Sequence, residues 1–153
     1  MPKTDLVSIP SSCTLCPRRC GADRAAGRTG FCGAGSTLKA ARAALHYWEE
    51  PCISGTRGSG TIFFSGCTLR CCFCQNSLLS KDHFGKKLTV NELGDAFLRL
   101  QDKGAYNINL VTPTQFFPDI IKALDLVRHK LHIPVVCNCG GYERPEIISQ
   151  LKD

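Results

Sequence analysis

Gly66-Cys67-Thr68-Leu69-Arg70-Cys71-Cys72-Phe73-Cys74-Gln75-Asn76 follows directly on Thr61-Ile62-Phe63-Phe64-Ser65, and this junction decides how the chain is read. The short apolar, β-favouring run reads as a buried strand that stops at Gly66. The loop behind it has the spacing Cys-x3-Cys-x2-Cys. Three thiolates on one tight loop can each ligate one iron of a cubic 4Fe-4S cluster, whereas full ligation takes four cysteines. The remaining iron is then open to a small ligand, which separates a cluster that performs chemistry from one that only relays electrons. The carboxyl end of a parallel strand is also where barrel-type active sites are assembled.

Downstream, strand-like and helix-like pieces alternate. Thr89 and Glu92 make a Thr-x-x-Glu capping box, and Leu93, Ala96, Phe97 and Leu100 follow at helical spacing before Gly104. Tyr106, Ile108 and Leu110 alternate with Asn107, Asn109 and Val111, a strand that ends at Thr112-Pro113. Pro118 opens a helix with the stripe Ile120, Ile121, Leu124 and Val127. Pro134-Val-Val-Cys137 reads as a third strand and Pro145 as the start of a third helix. Strands in such alternation are parallel with crossover helices. The expectation is therefore an α/β fold, a partial (β/α) barrel with three βα units over residues 61–153, preceded by a cysteine-rich segment over residues 1–60. A complete eightfold barrel takes about 250 residues, so the chain is expected to be the front part of a longer protein or a natural truncation.

Upstream, the texture is different. Residues 13–60 are rich in Cys, Gly, Arg and Ala, with little hydrophobic periodicity beyond Leu38 to Trp48, and such a segment needs cross-linking to hold a shape. The chain has 11 cysteines, an odd number, and its first thirty residues lack the apolar core of an export signal, so disulfides are disfavoured and thiolate ligation of a soft metal is favoured. Cys13, Cys16, Cys20 and Cys32 form a second candidate set, Cys-x2-Cys-x3-Cys-x11-Cys, for a closed site of zinc or an auxiliary iron-sulfur cluster. No run approaches the ~20 apolar residues of a membrane-spanning helix, and a cytoplasmic location is expected. The net charge of +6 is spread without a dense basic stripe, so no nucleic-acid partner is expected.

Cys67-x3-Cys71-x-Phe73-Cys74, with an aromatic before the last cysteine, resembles the cluster motif of radical S-adenosylmethionine (radical SAM) enzymes. The longer wording resembles the pyruvate formate-lyase activating enzyme-like branch: Trp48-Glu-Glu-Pro-Cys-Ile-Ser-Gly55, Gly58-Ser-Gly-Thr-Ile-Phe-Phe-Ser-Gly-Cys67, Cys74-Gln-Asn76 and Val111-Thr-Pro-Thr-Gln-Phe116. The resemblance implies that Cys67, Cys71 and Cys74 hold the cluster while the open iron takes the amino and carboxylate groups of S-adenosylmethionine. It implies cleavage of the sulfonium to methionine and a 5′-deoxyadenosyl radical that abstracts a hydrogen atom. Phe73 matches the position near the adenine. Thr112 stands where the family often has Gly-Gly-Glu, a sequence absent here, and Thr112, Thr114 and Asn138 are the candidates for the remaining cofactor contacts. The implied partners are a low-potential electron donor of flavodoxin or ferredoxin type and a glycyl-radical-type protein substrate.

Other readings stand beside this one. Cys67, Cys71 and Cys74 can be a zinc loop completed by Cys72 or Cys52. Both cysteine groups together suit an electron-transfer or metal-scaffold protein without S-adenosylmethionine chemistry. Cys137 and Cys139 share a strand face and are read as packing residues.

Overall fold

The computed structural model describes residues 8–151. Five strands form one mixed sheet: β1 (Lys39–His46), β2 (Ser59–Phe64), β3 (Lys86–Lys87), β4 (Ile108–Val111) and β5 (Val135–Asn138), in the order β3-β1-β2-β4-β5. The helices are α1 (Pro51–Ser54), α2 (Ser77–Ser80), α3 (Val90–Asp102), α4 (Phe117–Val127) and α5 (Pro145–Ile148). β2, β4 and β5 are parallel, with Ile62 opposite Leu110 and Leu110 opposite Cys137. No helix among the described residues is long and apolar enough to cross a membrane.

The α/β class stands, as a five-stranded mixed sheet whose parallel half holds the three strands expected after residue 60. Its parallel half is extended by β1, antiparallel to both β2 and β3. β1 escaped the reading because its sequence, Lys-Ala-Ala-Arg-Ala-Ala-Leu-His, has no β-branched or aromatic residue and takes its strand from pairing with β2. The strand predicted at Thr61 begins two residues earlier, at Ser59.

The helical predictions rest on local chemistry and are found in place. Glu92 N–H donates to Thr89 Oγ1 (3.2 Å) while Thr89 N–H donates to Glu92 Oε2 (2.7 Å), closing the capping box of α3. Leu93, Ala96, Phe97 and Leu100 are buried as their spacing requires. Pro118 lies in the first turn of α4, which buries Ile120, Ala123 and Val127. Ile62 and Phe64 of β2 and Ile108 and Leu110 of β4 join these helices in the core.

Strand alternation turns the polar partners the other way. Ser59, Thr61, Asn107 and Asn109 are buried on the face away from α3 and α4. Ser59 Oγ donates to Asn107 Oδ1 (2.6 Å), and Asn107 Nδ2 donates to the Ile53 carbonyl (2.7 Å), so α1 closes the amino end of this polar face. The carboxyl ends of β2, β4 and β5 meet at the opposite edge, where the cysteine loop after β2 begins.

Candidate metal centre

The loop after β2 is held at both ends. Gly66 N–H donates to the Leu79 carbonyl (2.8 Å), and Ser65 Oγ donates to the Phe84 carbonyl (2.6 Å). Cys74 N–H donates to the Cys71 carbonyl (3.2 Å), bending the chain between the second and third cysteines of the motif. Cys67, Cys71 and Cys74 are half-buried on this loop, whereas Cys72 is exposed. Leu69 N–H donates to Cys67 Sγ (3.4 Å) and Ser80 Oγ to Cys74 Sγ (3.5 Å).

Arg70, at φ 53°, reaches His83, with Nη2 2.9 Å from Nε2. Burial, then the Arg70 and Lys39 charges, lower the His83 pKa below its ordinary value. The neutral ring therefore accepts from the guanidinium. Lys39 Nζ donates to the His83 carbonyl, so β1 also braces the loop.

Gln115 is the residue that sequence reasoning missed. It is buried just before α4, with Nε2 near the carbonyls of Ser65 (3.3 Å), Gly66 (3.1 Å) and Thr112 (2.8 Å). One amide thereby ties the carboxyl ends of β2 and β4 to the root of the cysteine loop. Its motif was visible, but only the fold supplies three carbonyls within its reach. Gln115→Ala is expected to cost about 2–3 kcal/mol, because buried acceptors lose their donor and a cavity opens. Urea unfolding of the two proteins, with unchanged slope, measures it.

The other candidate residues are spread around this edge. Phe73 is 86% exposed on the loop. Thr112, at φ 52°, donates through Oγ1 to the carbonyls of Val111 (2.8 Å) and Phe64 (3.4 Å), and its N–H donates to the Asn138 carbonyl (3.0 Å). Thr114 is buried and donates through Oγ1 to Glu143 Oε1 (3.0 Å). Asn138 ends β5 exposed, on an open cavity of about 260 Å³ shared with Glu49, Glu50 and Asn109. Cys137 is the last residue but one of β5, and Cys139 lies beyond the strand, so the two do not share a strand face as their spacing suggested. Burial, then the Glu143 carboxylate, raises both thiols, Cys139 to about 12, holding them protonated.

Cys52 lies in α1, at the amino end of β2. The six residues of β2 put about 20 Å between that end and the cysteine loop, too far to complete a zinc site with Cys67, Cys71 and Cys74. The N-terminal cysteines lie on the near side. Cys13, Cys16, Cys20 and Cys32 line one small void against Thr68 and Gln115. Arg18 Nε donates to the Thr68 carbonyl (2.6 Å), binding the two cysteine segments together. Burial first, with added repulsion from neighbouring thiolates, raises the Cys16 and Cys32 thiols, while the N–H groups of Arg18 and Ala34 pull them down. As the side chains stand, no three His, Cys, Asp or Glu converge tightly enough to hold an ion among the described residues.

Residues 61–153 match the family model of the Radical SAM superfamily. An uncharacterized protein of Methanocaldococcus jannaschii is 31% identical over 154 residues, a region covering 95% of this chain and 43% of that protein. The chain thus spans less than half the length of the curated relative it matches. No solved structure matches. The family match opens on the strand that delivers the three-thiol loop and runs to residue 153, more than half of the chain, and on that ground the protein belongs to the Radical SAM superfamily.

Proposed function

We propose that the protein cleaves S-adenosylmethionine reductively to abstract a hydrogen atom, as a pyruvate formate-lyase activating enzyme-like member of its superfamily. Family membership implies a 4Fe-4S cluster and S-adenosylmethionine. The donor set fits that cluster: three half-buried thiols on one loop, two of them already accepting hydrogen bonds at sulfur. This is the observation that carries the reading.

Cys67, Cys71 and Cys74 would each hold one iron. When bound, the cluster would supply the electron for reductive cleavage of the sulfonium and so the means of hydrogen abstraction. The chain's own part is to bind, orient and exclude water. Phe73 would cover an adenine by stacking, a role its exposure on the loop supports. Asn138 would offer its exposed amide to the polar nucleoside and amino-acid tail, and Thr112 and Thr114 would join it by exchanging their present hydrogen-bond partners. The parallel strands β2, β4 and β5 would be the first staves of a (β/α) barrel whose remainder supplies further contacts. A flavodoxin- or ferredoxin-type donor would deliver the electron, and the motif wording around Trp48–Gly55 and Val111–Phe116 supports a glycyl-radical-type protein as the hydrogen donor.

Anaerobic reconstitution with iron and sulfide, followed by dithionite and S-adenosylmethionine, tests this reading. Methionine and 5′-deoxyadenosine are expected in equal amounts. Intact S-adenosylmethionine beside a fully loaded, reduced cluster would refute it and favour an electron-transfer protein.

A further inference from the structure

We propose that Cys13, Cys16, Cys20 and Cys32 bind a single zinc ion that clamps the N-terminal segment onto the cysteine loop after β2. Residues 8–38 contain no helix or strand, yet Cys13, Leu15, Cys16, Arg24, Cys32, Ala34 and Leu38 are all buried. A stretch of irregular backbone this long has too few ladder hydrogen bonds to hold itself, and a structural metal is a usual substitute.

The backbone already gathers the four thiols. Cys13 N–H donates to the Ala22 carbonyl and Gly21 N–H donates to the Cys13 carbonyl, both at 3.0 Å, so Cys13 sits beside the stretch that carries Cys20. Arg19 N–H donates to the Cys16 carbonyl (3.0 Å) with Arg19 at φ 41°, a tight turn between Cys16 and Cys20. Gly33 N–H donates to the Gly30 carbonyl (2.9 Å), a second turn that presents Cys32. Gly30 is where these two turns touch, since a Cβ there would lie 2.5 Å from Cys20 Sγ. The sulfurs surround the void without yet meeting at one point. Rotation about the cysteine χ1 bonds, each with three staggered wells, is the step that closes the site.

Size points to the occupant, and charge to an anionic centre. The void holds about 10 Å³, room for one water-sized body. A void this small among four thiols suits one ion. Zinc with four thiolates carries two negative charges, and two guanidiniums, Arg18 and Arg24, line the same void. Arg24 is 2% exposed, and its hydrogen bonds go to the neutral carbonyls of Gly35 (3.0 Å) and Gln115 (2.6 Å). The Arg24 charge acts on the buried Asp119 carboxylate and on Cys32, and an anionic centre at the four thiols would add to its stabilisation.

The test is metal analysis of the anaerobically purified full chain beside C67A/C71A/C74A and Cys20→Ser. About one zinc per chain is expected in the wild type, with four sulfur neighbours at about 2.3 Å by zinc-edge X-ray absorption. C67A/C71A/C74A should lose its iron, keep its zinc and melt at higher temperature with zinc than without. Cys20 is exposed, so Cys20→Ser leaves the metal-free fold intact. In a chelator competition it should bind zinc about 100-fold more weakly, at least the loss expected from removing a residue that merely supports a ligand. A zinc-free wild type at saturating zinc would overturn the proposal, as would iron persisting in C67A/C71A/C74A or unchanged zinc affinity in Cys20→Ser. None of these readouts involves S-adenosylmethionine, so the proposal fails or stands apart from the assignment of the catalytic chemistry.

Discussion

Alanine at Cys67, Cys71 or Cys74, one at a time, is expected to strip the reconstituted protein of its iron-sulfur absorbance and to reduce 5′-deoxyadenosine formation by about 1,000-fold or more, since the radical chemistry belongs to the cofactor. No neighbouring group makes good the loss. Cys52 is at the far end of β2, and Cys137 and Cys139 are held protonated beside Glu143. Cys72 is the informative control. It is exposed and adjoins Cys71, so Cys72→Ala should keep full iron content and activity. Iron retained by any of the three single variants, or lost from Cys72→Ala, would show that the ligand set is wrong.

Gly66→Ala should give the largest loss of stability, about 3 kcal/mol, lowering the melting temperature by roughly 10 °C for a chain of this size. Two costs add. Gly66 sits at φ +84°, where an L-residue is strained by about 1–2 kcal/mol. A Cβ there would also lie 2.3 Å from the Cys32 carbonyl oxygen, a backbone atom that can move only by displacing the N-terminal segment, which adds an overpacking cost of about 1–3 kcal/mol. Gly104 separates the two. It has the same φ of +84° but nothing within 4 Å of a built Cβ, so Gly104→Ala should show the conformational cost alone. Equal melting temperatures for the two variants would mean that the N-terminal segment does not press on the cysteine loop.

What the sequence made legible was local. The spacing of Cys67, Cys71 and Cys74 is a property of one loop, and the Thr89–Glu92 capping box is a contact three residues long. Both survive translation into structure because neither depends on distant partners. β1 was not legible, since its alanines become a strand only through pairing with β2, and β1 in turn changes the sheet from parallel to mixed. Thr112 reads as an ordinary strand end, and its positive φ emerges only where the carboxyl ends of β2, β4 and β5 are drawn together. Gln115 reads as one polar residue before a helix; its importance lies in three carbonyls from two separate segments. The N-terminal cysteines were legible as a set, but their closeness to Thr68 and Gln115 was not, because it depends on Arg18 and Arg24 reaching across the fold.

The central claim is that three thiolates hold the cluster and leave one iron to S-adenosylmethionine. Electron paramagnetic resonance of the dithionite-reduced protein, recorded before and after adding S-adenosylmethionine, tests it most directly. A reduced 4Fe-4S signal is expected, with g-values that shift when S-adenosylmethionine binds the open iron. A signal indifferent to saturating S-adenosylmethionine would contradict it.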